Sequence, residues 1–359
     1  MKILFLVPYP PGESPSQRFR FEQYLDALKR EGHTLRLEPF LPPHRWRLFY
    51  QRGYTRARLG MIVGGFARRI SLMLSAGRYD YVFIHREAAP VGPPVVEWFL
   101  AKVLRKKIIY DFDDAIWMTD KVNESGLERI LRWRSKVSSI CRWSYKVSCG
   151  NEYLREYALR FNRSAFLNPT TIDTDNLHNP SRFNSPEKEA GRIVIGWTGS
   201  HSTLKYLYLL KNVLAQIQEK YPQTTLLVIA DKSPELQVPR IIFRPWSPES
   251  EISDLMMSDI GIMPLPDDEW SKGKCGFKAL QYMALGIPAV ASTVGANPTI
   301  IRHMENGCLC NRDKEWVATL EMLITNADLR KRLGQAGRQT VIDRYSVSSN
   351  TSTFLSFLA

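Results

Sequence analysis

Cysteine is sparse in this chain, with five in 359 residues. Cys141, Cys149, Cys275, Cys308 and Cys310 follow none of the spacings that hold zinc. An odd and scattered set argues against a disulfide framework and for a reducing, cytoplasmic setting. Cys308 and Cys310 read as two small buried residues. Long hydrophobic runs are missing as well. The most apolar stretch, Leu59 to Leu74, is interrupted by Arg68 and Arg69 and is too short to span a bilayer, so no transmembrane helix is expected. The opening MKILFLVPYPP holds a short apolar run that Pro8, Pro10 and Pro11 stop, which fits a buried first strand and not an export signal. No internal repeat is visible.

Acidic residues are short in the first half. Residues 1–175 carry 29 Lys/Arg against 18 Asp/Glu, and residues 176–359 carry 20 against 18, so the first half holds nearly all of the formal charge of +13. Such a field attracts anions, and nucleic acid, an acidic membrane surface and phosphorylated substrates all answer to it. With 44% hydrophobic and 24% charged residues the chain reads as globular, and its length suits two domains.

The pattern along the chain is α/β. Lys2 to Val7 is a strand-length apolar run followed by a Pro/Gly loop and a helix, with Ser14 as expected cap, Pro15 at the first position, Gln17 completing a capping box and Gly32 as the stop. LRLEP, YDYVFIH, KKIIYDF, YKVSCGN and SAFLNP supply further strands, with a helical pattern at 93–105. Residues 178–191 are rich in Pro, Asn, Ser and charge and read as a linker. The alternation then restarts with RIVIGW, a helix over 202–221, TTLLVIA, RIIFRPW, DIGIMPL, IPAVAS and GCLC. This predicts two Rossmann-like, doubly wound parallel-sheet domains, 1–177 and 192–345, and a tail 346–359 that packs back on the first.

In such sheets ligands bind beyond the carboxyl ends of the strands, where loops lead into helices. Three loops draw attention. PYPPGESPSQR places Gly12 before Arg18 and Arg20. IGWTGSHSTLK sets Gly196, Thr198, Gly199, Ser200 and Ser202 ahead of Lys205. SKGKCGFKALQYM puts Gly273, Lys274, Cys275, Gly276, Phe277 and Lys278 where a helix begins. Glycines, helix-start amides and ammonium groups in that arrangement suit a diphosphate, although each loop alone also reads as a tight turn with solvated lysines.

CGFKALQYMALGIPAVASTVGANPTII with ENG at 305–307, RPWSPESEISDLMMSDIGIMPL, FLNPTTID and GHTLRL together resemble the GT-B glycosyltransferases, family four, over nearly the whole chain. The resemblance implies two domains facing across a cleft and transfer of a hexosyl group from a nucleoside-diphosphate sugar, UDP or GDP foremost. It also implies retention at the anomeric carbon with the leaving phosphate taking the acceptor proton, and no metal or other cofactor. It departs at two places. Both carboxylates of the family's Glu-x7-Glu pattern are replaced, by Gly273 and Gln281; Gln281 can still bond ribose hydroxyls, and Asp268, beside Asp267 and Glu269, is the expected substitute at the sugar. The usual Gly-Arg and Lys-Gly cations are also absent, so Lys205 and Lys278, with Lys274, are the expected phosphate ligands. Arg244 and Trp246 are expected to border the base.

In the first domain Asp113 and Asp114 of YDFDDAIW, following Asp111, read either as a helix cap with a dipole-favourable acid or as ligands of acceptor hydroxyls. The Arg- and aromatic-rich stretch 44–69 reads either as a solvated helical face or as a surface for anionic lipid beside a lipid-linked acceptor; nucleic acid is not expected. The activity expected is a glycosyltransferase of cell-surface polysaccharide or glycoconjugate synthesis, cytoplasmic or peripheral on the inner face of the cytoplasmic membrane. The competing readings are a sugar-nucleotide 2-epimerase of the same fold and a non-catalytic sugar-nucleotide or membrane-surface binding protein.

Overall fold

The computed structural model describes residues 1–50, 55–120, 124–184, 189 and 191–358. Residues 51–54 of the basic stretch 44–69, and 185–188 and 190 of the expected linker, lie outside the described residues. The chain divides into two compact units, Met1–Thr170 with Thr351–Ala359, and Thr171–Asn350.

The first unit is built on strands β1 (Lys2–Val7), β2 (Thr34–Pro39), β3 (Tyr81–His85), β4 (Lys107–Phe112), β5 (Lys146–Cys149) and β6 (Ala165–Leu167). They form one sheet in the order β2-β1-β3-β4-β5-β6, every neighbour parallel. β1, β3 and β4 are buried along almost their whole length because helices cover both faces of the sheet. The second unit repeats the plan with β7 (Ile193–Thr198), β8 (Thr224–Ala230), β9 (Ile241–Pro245), β10 (Ile260–Met263), β11 (Ala289–Ser292) and β12 (Cys308–Cys310). Its order is β12-β11-β10-β7-β8-β9, again all parallel. Strand order reverses direction between β1 and β3 in one sheet and between β7 and β10 in the other. At such a reversal the flanking helices leave on opposite faces and open a crevice at the carboxyl edge.

Long helices expected from the sequence are interrupted. The first is divided into Pro15–Arg18, a 3-10 turn at Glu22–Tyr24, and Leu25–Arg30. Ser14 makes no side-chain cap, and its hydroxyl lies 2.9 Å from that of Ser16. Gln17 completes no capping box. Its amide folds back to bond both N–H and C=O of Tyr9 and the Glu22 carboxylate, which clasps the Pro/Gly loop. The helix expected over 202–221 is split likewise into Leu204–Leu207, Tyr208–Leu210 and Lys211–Lys220, with Leu207, Leu210, Leu214 and Ile217 buried.

Helix Thr55–Ser75 is apolar on two faces. Met61, Leu72 and Ala76 are buried, while Leu59, Val63, Ile70 and Leu74 are 54–82% exposed. By length and composition Ala57–Arg78 is long and apolar enough to cross a membrane. Its two central arginines instead seat it on the sheet edge. Arg69, fully buried, donates to the carbonyls of Val7, Glu38 and Ala88, and Arg68 pairs with the Glu38 carboxylate. The terminal helix Val347–Ser356 carries Phe354, whose ring stacks on Tyr24 at 4.3 Å and 9°, and Phe357 follows against Phe166 at 4.1 Å. Phe354→Ala removes a buried ring and should cost about 3 kcal/mol; an unchanged urea midpoint for this variant would show that the tail adds nothing to the first unit.

Candidate functional site

In the second unit the crevice at the β7/β10 reversal is bordered by the loop 199–203 and the segment 264–276. Trp197, near the end of β7, is buried in the core of this unit. Its ring meets the position a Cβ on Gly199 would take, at 2.4 Å, so only glycine fits there. The Lys278 ammonium lies 5.6 Å from the centre of the same ring, half-buried, which brings the third loop to the second. Gly276 begins helix Phe277–Ala284 in the left-handed region, φ 72° and ψ 14°, and a Cβ there would lie 2.3 Å from Ile300 Cδ1. Having no side chain, it makes no side-chain cap at this helix start. Tyr282 anchors this helix from below: its hydroxyl accepts from Thr198 N–H at 3.0 Å and donates to Gly196 C=O at 3.1 Å, while its ring covers Gly261.

Several predicted residues are committed elsewhere. Gly196 lies inside β7, where a Cβ would fall 1.9 Å from Ser258 Oγ; packing beneath the sheet explains it. Gln281 is buried, with its amide nitrogen donating to Glu251 Oε1 at 3.2 Å and lying 3.3 Å from His178 Nε2, so it braces the helix and does not open toward a ribose. Asp268 caps helix Glu269–Lys272 by accepting from Ser271 N–H at 2.7 Å. The Cys275 thiol is buried and turned to Gly273 C=O. Ser200 caps the turn His201–Thr203. Lys274 lies over Trp270, and Lys205 is exposed over its neighbour Tyr206. Arg244 is exposed in β9, and Trp246, half-buried, binds Ala230 C=O through its backbone N–H. The sequence reading missed His201 and Asp231, paired at 2.6 Å on the same carboxyl edge, and the buried Glu251. Two residues 30 apart in sequence gave no local signal. Among the described residues no group of three or more His, Cys, Asp or Glu stands ready to hold a metal ion.

At the β1/β3 reversal of the first unit the loop after β1 turns at Gly12, φ 79°, whose N–H donates to Glu22. Arg18 is half-buried with its guanidinium over Phe19. Asp113 and Asp114 cap no helix. Both bind Arg86, at 2.7 and 2.6 Å, and this arginine follows β3 in the left-handed region at φ 57°. Burial by itself would weaken the Arg86 charge, but the two carboxylates outweigh it and hold the guanidinium protonated well above its ordinary range.

Beneath them is a buried polar network. Asp111, at the end of β4, accepts from Arg20 at 2.5 Å, from Ser148 Oγ at 2.5 Å and from His85 Nδ1 at 2.8 Å. A carboxylate only accepts, so His85 Nδ1 carries the proton and the opposite ring nitrogen is the acceptor in the neutral imidazole. That nitrogen lies 3.3 Å from Ser16 Oγ. Burial would raise the Asp111 pKa, yet the Arg20 charge and the His85 bond more than reverse this and hold it well below the carboxylate's ordinary 3.8.

Two six-stranded parallel sheets of this order, each with its crevice at the carboxyl edge, define the GT-B class. Solved structures agree with the fold. A glycosyltransferase from Rickettsia africae superposes with a TM-score of 0.70 at 15% identity, covering 99% of this chain and 97% of that one. A sucrose-phosphate synthase from Thermosynechococcus elongatus gives 0.69 at 14%, over 99% and 97%. Anabaena HepE, solved with UDP and glucose, gives 0.67 at 15%, over 100% and 99%. Residues 192–326, within the second unit, match the family model Glycosyl transferases group 1. The chain is also 25% identical to a D-inositol 3-phosphate glycosyltransferase of Corynebacterium urealyticum over 173 residues, 43% of this chain and 39% of that protein.

The depressed Asp111 pKa sets a pH dependence. A carboxylate that titrates lower in the folded than in the unfolded chain stabilises the fold fully above its unfolded pKa and loses that contribution as pH falls through and below it. Stability should therefore decline below about pH 4. Asp111→Asn, which strands Arg20 in the interior, should cost about 3 kcal/mol at neutral pH and flatten the decline; equal acid slopes in wild type and variant would contradict the assignment.

Proposed function

We propose that the chain transfers a sugar from a nucleoside-diphosphate sugar to a hydroxyl of a saccharide or lipid-linked saccharide, with the second unit binding the donor and the first the acceptor. One observation carries this reading: the family match falls on the unit in which Lys278 lies over the Trp197 ring, that ring packs against Gly199, and a helix begins at Gly276 with no side-chain cap. Breaking the anomeric bond leaves new charge on the diphosphate. Fixed donors aimed at that charge favour the transition state over the bound sugar nucleotide. Lys278 and the amides that follow Gly276 are those donors, and Trp246 and Arg244 border the base. Retention at the anomeric carbon is the outcome that the family resemblance implies. HepE, solved with UDP and glucose, makes a UDP-sugar the first donor to try.

The expected test is a thermal-shift series with UDP-, GDP-, ADP- and dTDP-sugars. One nucleotide class should raise the melting temperature selectively, since only ligands of the native state stabilise it. Lys278→Ala should then lower turnover of that donor about 100-fold and leave the melting temperature of the free protein in place. Stabilisation by none of the four would remove the reading.

The acceptor side adds a surface. From residue 39 to 79 the chain has eight arginines and no acid. On helix Thr55–Ser75, Leu59, Val63, Ile70 and Leu74 form one exposed apolar stripe. An exposed apolar stripe on a basic segment suits an anionic bilayer, and this reading has the protein peripheral on the inner face of the cytoplasmic membrane. Sedimentation with phosphatidylglycerol-containing vesicles should exceed that with phosphatidylcholine, fall with salt, and drop several-fold in Leu59→Gln/Leu74→Gln. Equal partition to both lipids would overturn the surface assignment and leave the donor reading untouched.

A further inference from the structure

The loop after β4 carries more than its two acids. Ile116 N–H donates to Asp114 C=O and Met118 N–H to Ala115 C=O, each at 2.8 Å, so the chain turns tightly here. The Cα atoms of Asp114 and Trp117 cannot be more than about 11 Å apart. Trp117 stacks on Tyr157, with ring centres 3.6 Å apart and planes 2° from parallel, and lies 6.1 Å from Tyr153 at 27°. Both tyrosines belong to helix Glu152–Leu159, which Asn151 starts at the carboxyl end of β5 by accepting from Leu154 N–H. At a spacing of four they share one face of it. Another aromatic cluster of this unit, Phe5, Phe21 and Phe83, is buried. Trp117, Tyr153 and Tyr157 are each only half-buried, at the edge where ligands of such sheets bind.

The near end of the same loop is polar. Arg86 holds Asp113 and Asp114, and the three side chains are 20%, 13% and 18% exposed. The left-handed backbone of Arg86 is costly for a residue with a side chain. Two bonds of 2.7 Å retain it: Arg86 N–H donates to Asp111 C=O, and Arg86 C=O accepts from the Tyr110 hydroxyl. Carboxylates and a guanidinium fixed against one another offer acceptors and donors of set direction, which are the two roles that sugar hydroxyls require.

We infer that Trp117, with Tyr153 and Tyr157, is a platform on which one pyranose ring of the acceptor packs, its hydroxyls turned to Asp113, Asp114 and Arg86. The inference rests on the glycosyl-transfer reading, which gives the acceptor to the first unit. A pyranose has hydroxyls around its rim and C–H bonds across its faces. The negative face of an aromatic ring attracts those hydrogens, and the contact removes apolar surface from water. Rings alone would bind any flat apolar molecule, and the ion cluster alone would bind hydroxyls with no shape. One loop carries both, so the ligand class is a pyranoside with one exposed C–H face.

Saturation-transfer NMR on the full chain, with irradiation of aromatic protons, tests this. The probes are methyl β-D-glucopyranoside, methyl β-D-galactopyranoside, methyl α-D-mannopyranoside and methyl N-acetyl-β-D-glucosaminide. With at least one of them, the C–H protons of a single ring face should take up most of the saturation. Trp117→Ala should weaken the apparent Kd of that glycoside about 10-fold, and Trp117→Phe should recover most of the loss. In transfer to the same glycoside, Trp117→Ala should raise its KM to a similar extent and leave kcat and the donor KM within two-fold. Tyr153→Leu should weaken binding several-fold, and it decides the question if Trp117→Ala does not melt cooperatively. Saturation spread evenly over both faces, or an unchanged Kd in the variant that melts cooperatively, overturns the platform. An unchanged Kd in Asp114→Asn overturns the polar half of the site. Binding of none of the four glycosides also overturns the platform, while stabilisation by a UDP-, GDP-, ADP- or dTDP-sugar in parallel melting curves would keep the donor reading. A chain that binds a glycoside and is stabilised by none of those donors loses the transfer reading, and the acceptor role of the platform with it.

Discussion

Every strand pair in both sheets is parallel, and that constraint organises the rest of the protein. Parallel strands need crossovers, and crossovers of one hand put all the carboxyl ends on one edge. When the strand order turns back, the helices part and the edge opens. The chain meets this condition twice, once beside β1 and β3 and once beside β7 and β10. The same geometry therefore produces two carboxyl edges of different character: one with Lys278 over the Trp197 ring beside a helix start, and one with a buried acid, an imidazole and hydroxyls.

Charge burial separates them further. In the first unit three arginines, Arg20, Arg69 and Arg86, hold the loops at the carboxyl edge, each by several oxygens at once. A planar guanidinium with five donors can satisfy three strand ends together, which a lysine cannot. Part of the basic excess in the first half of the sequence is thus internal scaffolding. The remainder, with the exposed stripe of helix Thr55–Ser75, is what an external anion would meet.

The central strands were legible because a parallel strand buried on both faces is a largely apolar run, and LVIA or IGIM leaves little else to fit. Helix boundaries were less so: Gln17 turned to the backbone of Tyr9, against its place in a capping-box pattern, since the Pro/Gly loop had no other partner for those groups. In the second unit the sequence drew attention to loops whose individual residues it could not sort. Gly196 and Gly199 look alike in a string, yet one makes room for Ser258 and the other for Trp197. Gln281 and Asp268 drew attention as polar residues near a glycine loop, and both serve the fold. His85, Asp111 and Ser16 are separated by 26 and 69 residues. Only the sheet brings them together, and no spacing rule reaches that far.

The missing glutamates at 273 and 281 are the hardest feature to reconcile with transfer chemistry, and the buried Glu251 bears on it. Gln281 donates to Glu251 at 3.2 Å, so a carboxylate still touches this helix, contributed by a different element. A glutamate at 281 would set two carboxylates against each other in a buried space, and one would be forced to take up a proton. An amide there is the compatible choice, because it donates where a second acid could only accept. Read this way, the glutamine follows from the position of Glu251, and its presence is not evidence that the site has lost its chemistry. The electrostatic work assigned to the crevice rests on Lys278 and on the helix start at Gly276, and neither is altered by the exchange.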